Sequence, residues 1–425
     1  MTGFTGAMFV SAQPEAPSPA RPGKVPPIVA AAAVGAALYG WAGVAMTPFA
    51  PGAIGVNMNT LGNEWMVFYG AVQWFLHGHL ATLYDGNRFT AYLNARFAAL
   101  LSQPMSLRPF VYPPSYLLLV LPFGLLPFTA SWLLFETATA GLLAAALWLG
   151  SDERPCIRWF VLCGALLGPA AAINFGGGEN AFLSAGLLVG GLRLVRHGRP
   201  AAGGVLLGLL SVKPQFAILA PVALVATRDW RALGWCVVGA LGLAASSAAV
   251  FGTALWQHWL ALALGGYWQA NAAWVEAARV WGTSVYAALF ASGLPSSLAN
   301  LGQVVATIIA AALAYTAYRR PLPADRQIAV LLAATMLAAP HSSVVDFVLL
   351  SVAVMLWSID ALRAETALAM WTLALALWLA MLFNPPLASP PGRLTPLLIL
   401  GFIALAIGGR SAAAAEGVRP LAAAR

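Results

Sequence analysis

The residues able to do chemistry are few, and the stretch in which the chemistry is placed is Asn57–Asp85 (NMNTLGNEWMVFYGAVQWFLHGHLATLYD), which holds two of the acids. Glu64 begins an apolar run with helical spacing. A carboxylate there could take a proton from an acceptor hydroxyl as a general base. It fits equally a helix N-terminal acid favoured by the macrodipole. Asp85, in YDGN, has the setting of a turn residue or helix cap. The chain has only 14 acids, so each can be placed. Glu15 and Glu416 are in the tails. Asp152, Glu153, Asp229, Asp325, Asp360 and Glu365 fall in loops assigned to the inner side, and Glu276 in a Trp-rich loop. Glu136 lies inside an apolar run, as a buried hydrogen-bonded acid would. Glu179 and Asp346 stand at the ends of apolar runs. Ionisable groups at membrane depth are costly and mark candidate sites.

Other candidates lie far apart in sequence. Lys213, in SVKPQF, is a lone cation inside an apolar run just before a proline. It would pair with an anion, most naturally a lipid phosphate, or snorkel to the interface. Glu179 and Asn180 close the glycine-rich break NFGGGEN; Asn180 suits a helix cap, and Glu179 could face a cavity. His341 and Asp346 flank the break APHSSVVD. A His there could shuttle protons or bind phosphate, or the two could form a structural hydrogen-bonding pair. There is no P-loop, no GxGxxG in strand context, no HExxH and no Cys/His cluster. Nucleotide hydrolysis and a structural zinc site are therefore unsupported. Cys156, Cys163 and Cys236 have no metal or redox spacing and suit small apolar positions.

The elements that must position these residues are membrane helices. Of 425 residues 60% are hydrophobic and 8% charged, with mean hydropathy +0.80, whereas a soluble domain is about a quarter charged. Apolar runs of about 20 residues recur along the chain, each able to cross a bilayer core of about 30 Å. They are too long and too rich in Ala and Leu for barrel strands. The expected fold is all-α: a polytopic membrane bundle with roughly eleven to thirteen membrane helices, some broken. Two amphipathic helices, one carrying Trp65, Phe68, Val72, Phe75 and Leu76 and one carrying Phe89, Tyr92, Leu93, Phe97, Leu100 and Leu101, would lie in the interface in the first outer loop. Residues 1–26 would form a disordered cytoplasmic tail, 27–410 the membrane domain with 49–110 as its first extracytoplasmic loop, and 411–425 a cytoplasmic tail. No cleavable signal is evident. Trp159–Ile173 is expected as one span, and Ala201–Thr227 as two short helices meeting at Lys213–Pro214. The aromatic residues Trp256, Trp259, Tyr267, Trp268, Trp274 and Trp281 suit an interfacial belt or a sugar-stacking surface.

The net charge of +8 sits mostly in short loops, as the positive-inside rule expects, and carries no nucleic-acid signature. Placing Arg193–Arg199, Arg228–Arg231, Arg319–Arg326 and Arg363 inside puts NFGGGEN, Lys213 and Pro340–Asp346 outside with Glu64. The parity holds if the proline-broken run Val111–Phe128 is re-entrant or partial.

Four segments carry a family resemblance: NEWMVFYGAVQWFLHGHLATLYDG, GGGENAFLSAGLLVGG, GRPAAGGVLLGLLSVKPQFAILAPVAL and AAPHSSVVDFVLL, with TSVYAALFASGLP and Gln303 between the last two. Over about residues 55–360 the chain resembles glycosyltransferase family 87, GT-C-type transferases that use polyprenyl-phosphate sugars. The resemblance implies a catalytic acid in the first outer loop, at Glu64 where the family usually has Asp. With that acid in place, Lys213 with His341 is read as holding the donor phosphate, and Asp85, Glu179, Asn180, Gln215 and Asp346 as supporting polar residues. GQN of the family pattern is GEN here, and the usual Tyr after Ser-Pro is His341. The implied activity is hexosyl or pentosyl transfer from a polyprenyl-phosphate donor to a lipid or glycan hydroxyl. It would occur at the outer face of the plasma (bacterial inner) membrane, serving the cell envelope. No cofactor and no metal ligand set are expected, a divalent metal being left open. A transporter or flippase of lipid-linked sugars is the alternative from another class, because broken helices are also transporter features. A catalytically inactive assembly partner is a third.

Overall fold

The computed structural model describes residues 24–47, 60–266, 282–364, 366–383 and 392–408. Residues 1–23 and 409–425, residues 57–59, Glu365, and Tyr267, Trp268, Trp274, Glu276 and Trp281 of the Trp-rich segment lie outside those residues. Among the described residues the chain is helical, and the only strand-like pairing is a bridge between Gly282 and Ser343. This is the polytopic helical bundle that the apolar runs imply.

The first half supplies the frame. Helix α1 (Pro27–Ala45) is largely exposed, with Val29 its one buried side chain. Helices α2 (Trp65–Leu76) and α3 (Gly86–Arg96) form the first loop. Only α3 has the expected one-sided burial, through Phe89, Thr90 and Leu93. Helix α2 is packed into the bundle: Trp65 to Val72 are all buried. Its polar content is low enough that the helix sinks into the bundle against its neighbours, and the apolar spacing alone did not show that its opposite face is covered too. Helix α4 (Pro114–Gly124) has 11 residues, about 16 Å at 1.5 Å per residue, shorter than a bilayer core of about 30 Å. Helix α5 (Phe128–Leu149) is a full-length run.

Helices α6 (Pro155–Leu166) and α7 (Pro169–Gly177) replace the single span expected over Trp159–Ile173, with a 52° bend between them. Pro169 has no N–H to give to the preceding turn, which breaks the helix. The freed carbonyls still need donors in a nonpolar setting. Two indoles supply them: Trp41 Nε1 donates to Leu167 O (3.1 Å) and Trp378 Nε1 to Gly164 O (2.9 Å).

Helix α8 (Ala181–Arg196) is followed by α9 (Pro200–Leu209), α10 (Pro214–Ala217), α11 (Leu219–Thr227), α12 (Trp230–Phe251) and α13 (Thr253–Ala261). The break at Lys213–Pro214 is the expected one. Helices α9 and α12 pack in backbone contact. A Cβ on Gly204 would lie 2.4 Å from Ala232 O, and one on Gly208 would lie 2.2 Å from Cys236 O. This is the small-xxx-small seam by which membrane helices approach closely. It gives a physical reason for the glycines of the AGG…GLL run.

Helices α14 (Val285–Ala291), α15 (Ser296–Arg319), α16 (Ala324–Ala338), α17 (Val348–Ala361), α18 (Leu368–Trp378) and α19 (Thr395–Gly408) complete the chain. Among the described residues, five helical runs are long and apolar enough to cross a membrane: α1, α5, α12, α15 and Val344–Ala361. The bent α6–α7 pair makes a sixth if taken as one span. The larger sequence count included runs that fold as apolar helices of only 10–17 residues. Buried Gln303 of α15 ties three elements together. Its Oε1 accepts from Tyr286 N (3.0 Å), and its Nε2 donates to Leu337 O (3.2 Å) and Ala338 O (3.1 Å) at the end of α16.

The bundle has two chemically distinct ends. At one, Arg193 pairs with Asp325 (2.5 Å), Arg326 with Asp360 (2.8 Å) and Arg363 with Glu153, while Arg196 donates to Gln327. Helices α8, α16 and α17 run between this arginine-rich end and the breaks that hold Asn180, Ser342 and Asp346. The 16 residues of α8 alone separate the two by about 24 Å.

Candidate functional site

At the other end, four breaks between helices meet. The first holds Glu64, just before α2. The Glu64 backbone N–H donates to Gly177 O (2.9 Å), and that of Gly62 to Gly176 O (2.7 Å). Trp65 anchors the same turn. It is fully buried, stacks on Phe135 at 4.5 Å, and its Nε1 donates to Ser131 Oγ (3.0 Å). The glycine run closes down on this anchor. Gly178 has φ +78°, and a Cβ there would sit 2.4 Å from Trp65 Cβ. Gly177 lies between two acids: its Cβ would be 3.9 Å from Glu64 Cγ and 3.8 Å from Glu179 Cγ. Two backbone bonds and a tight turn therefore put Glu64 and Glu179 side by side, although 115 positions separate them in the chain.

The carboxylate of Glu64 makes no cap on its own helix. It pairs with Arg108, which is held in turn by α3: Arg108 N donates to Thr90 Oγ1 (2.9 Å). The Arg108 side chain stays 36% exposed.

Asn174 shapes the second break. Its Oδ1 accepts from Ala181 N (2.9 Å) and its backbone carbonyl from Gly178 N (3.0 Å) and Glu179 N (3.1 Å). Its Nδ2 donates to Glu136 Oε2 (2.9 Å), so Glu136 is a buried acid that orients this amide. Asn174 thus does the capping that the sequence suggested for Asn180. Asn180 stands at the start of α8 without a side-chain cap and turns elsewhere.

It turns to Lys213, in the third break. Lys213 Nζ donates to Asn180 Oδ1 (2.9 Å) and to Asp346 Oδ1 (2.5 Å), both bonds buried. It also lies 4.5 Å from the Phe216 ring. The anion that Lys213 meets is therefore a carboxylate of the chain, and the ammonium does not snorkel. Asp346, in the fourth break, also accepts from Ser343 N (2.9 Å) through Oδ2, fixing the turn before α17. The bridge from Gly282 to Ser343 and a Thr283–Ser342 hydroxyl contact (2.9 Å) pin this turn to the segment before α14.

The remaining predicted residues sit outside this core. His341 is exposed on the rim of the fourth break, and Gln215 is half-buried on α10. Asp85 caps α3, accepting from Arg88 N (3.1 Å) and pairing with Arg88 at 3.3 Å. No hydrogen bond or ion pair among the described residues ties it to the cluster.

Sequence reasoning missed two residues here. Arg108 had a signal: it is a cation in the loop assigned to the side where cations are sparse. Tyr112 had none. It lies within electrostatic reach of Glu179 and Asp346 and stacks on Tyr116 at 4.5 Å, and Tyr84 Oη donates to its carbonyl (2.8 Å). Of the Trp-rich segment, described Trp256 donates to Ser247 Oγ (3.1 Å) and Trp259 to Val111 O (3.1 Å). Among the described residues no group of three or more His, Cys, Asp or Glu is arranged to hold a metal ion.

The arrangement offers a carboxylate within reach of solvent beside an exposed guanidinium, backed by a buried acid and a buried ammonium. That suits proton abstraction next to an anion-binding group. The model of glycosyltransferase family 87 matches residues 110–340, more than half of the chain. The match contains Glu136, the glycine break and Lys213; Glu64, Arg108, His341 and Asp346 stand outside it. No curated protein and no solved structure matches the chain.

Proposed function

The chain belongs to glycosyltransferase family 87, and from that premise we propose that this membrane glycosyltransferase is of the GT-C type and moves a sugar from a polyprenyl-phosphate donor to a lipid or glycan hydroxyl at the extracytoplasmic face. The observation that carries the reading is the meeting of Glu64, Glu179, Lys213 and Asp346, from four separate breaks, at the end of the bundle away from the arginines.

Glu64 would accept the proton of the acceptor hydroxyl as that oxygen attacks the anomeric carbon. Arg108, paired with Glu64 but still partly exposed, suits the donor phosphate, because a guanidinium meets phosphate oxygens with two parallel donors. His341 would assist from the rim. Lys213 would add positive potential from below, sharing its ammonium with Asp346 and Asn180. These charges act on the phosphate as its negative charge grows in the transition state. The bundle has no nucleotide motif, which agrees with a donor held by lipid and phosphate.

The test is sugar transfer from radiolabelled polyprenyl-phosphate sugars into lipids and glycans, wild type against Glu64→Gln at matched expression. The expected outcome is transfer by the wild type and a loss of at least about a hundredfold in the variant, the usual range for a positioned base. Equal transfer by both would move the base elsewhere. No transfer by either, across the donor panel, would overturn the donor class.

A further inference from the structure

At the site two cations serve three carboxylates. Arg108 is engaged by Glu64 and Lys213 by Asp346. Glu179 forms no ion pair among the described residues, although it is only 9% exposed. It faces Glu64 across Gly177 from the start of α2, Lys213 from the α9–α10 break and Asp346 from the turn before α17. On the inner side lie Glu136 of α5 and the phenols of Tyr112 and Tyr116 at the entry to α4. Among these titratable neighbours only Lys213 is a cation.

Two carboxylates this close in a water-poor site do not both ionise readily; one keeps its proton. The geometry decides which. Glu64 has a guanidinium on it and is the more exposed, so it carries the charge. With Glu179 neutral, the two ion pairs of the site, Glu64 with Arg108 and Asp346 with Lys213, are each complete. Burial first, and then Glu64 beside it, raise the Glu179 carboxyl to about 8.

We infer that Glu179 is the acid of the reaction, donating its proton to the phosphate oxygen that leaves the sugar and recovering one from Glu64. This rests on the transferase reading above. The balance is complete within the site. The acceptor O–H bond breaks and its proton goes to Glu64. The acceptor oxygen bonds the anomeric carbon while the bond from that carbon to the phosphate oxygen breaks. That oxygen takes the Glu179 proton and departs as a phosphate monoester monoanion. The site is then left with Glu64 protonated and Glu179 charged. One proton passed between the two carboxyls flanking Gly177 restores the starting state. Below its ionisation Glu179 also meets the donor phosphate as a hydrogen-bond donor. Above it, a third uncompensated carboxylate repels that phosphate.

The test uses the full-length protein in nanodiscs, with Glu179→Gln as an isosteric variant that keeps a donor but has no proton to give. The first probe is a prenyl alkyl phosphodiester without sugar, whose phosphate does not titrate across the range used. The wild type is expected to bind it several-fold more weakly at pH 9.5 than at pH 7, approaching the limit of about tenfold that a coupling of one pKa unit sets. E179Q should bind it equally at both. The second readout is transfer: the wild-type rate should fall as pH rises through about 8, whereas E179Q should be about tenfold slower or more and lack that limb. Parallel loss of binding in both proteins, or an unchanged rate and limb in E179Q, would overturn the inference. If the wild type transfers no sugar while its binding still shows the Glu179-dependent step, the transferase reading and the acid role fall and the phosphate contact stands.

Discussion

At the scale of single residues, the site depends on partners that no spacing reveals. Lys213 and Asp346 are 133 positions apart and are 6% and 4% exposed. Each alone is an intramembrane charge with no obvious mate. Together they hold the break before α10 to the turn before α17. A buried pair of this kind is weak evidence of net stabilisation, but removing one member leaves a bare charge. Lys213→Met is therefore expected to lower stability by about 3–5 kcal/mol, and the double variant Lys213→Met with Asp346→Leu by distinctly less. Thermal unfolding of the purified proteins in one detergent measures both. A single variant that unfolds with the wild type would show that the pair does not hold the breaks together. Glu64 illustrates the same dependence. From sequence it was either a base or a helix-end acid. The structure places it at the start of α2 without a side-chain cap on that helix and gives it Arg108 as partner, which neither spacing nor composition showed. Asp85, its companion in the stretch, is the cap that its YDGN setting suggested.

At the scale of elements, the breaks are the working parts. NFGGGEN is a turn that only glycine permits at one point: Gly178 combines φ +78° with contact against Trp65. Gly178→Ala would bring a Cβ within 2.4 Å of Trp65 Cβ in a backbone conformation that costs an L-residue about 1–2 kcal/mol. The expected outcome is displacement of Glu64 and Glu179 together. Transfer should be lost well beyond the loss of folded protein, as read by rate per folded molecule. Retained activity would separate the turn from the site. The AGG…GLL run has a different task. Gly204 and Gly208 let α9 meet the α12 backbone, so α9 delivers Lys213 from a fixed platform. The burial of α2 was hidden from the sequence for a related reason. Its apolar spacing is real, but whether the remaining face meets lipid headgroups or protein depends on α3, α4 and α5, which close over it.

At the scale of the whole molecule, the chain sorts its charges to two ends. Arginines paired with Asp325, Asp360 and Glu153 collect at one; the Glu64 cluster occupies the other. On the proposed topology the positive-inside rule would set the arginine end in the cytoplasm. The prediction is a labelling pattern. In a background lacking the native cysteines, a cysteine at exposed His77 should react with an impermeant thiol reagent in intact cells. One at exposed Arg199 should react only after permeabilisation. The reverse pattern would put the site on the cytoplasmic side and exclude an extracytoplasmic transfer.

The sequence by itself determined that this is a helical membrane bundle, because hydropathy is a local sum and lipid permits little else. It also determined three of the breaks, at the Pro and Gly positions of NFGGGEN, Lys213–Pro214 and Pro340–Asp346, because those residues act on their own backbone; the bend at Pro169 it did not show. Glu64, Glu179, Asn180, Lys213 and Asp346 were legible as candidates for the same reason: polar groups stand out against an apolar chain. Their pairings were not. That Asn174 rather than Asn180 caps α8, that Lys213 meets Asp346, that Glu64 meets Arg108 and stands beside Glu179, and that α2 is buried were decided by tertiary structure alone. Each of these follows from through-space contact between segments up to 133 positions apart, and neither spacing nor composition encodes which break packs against which.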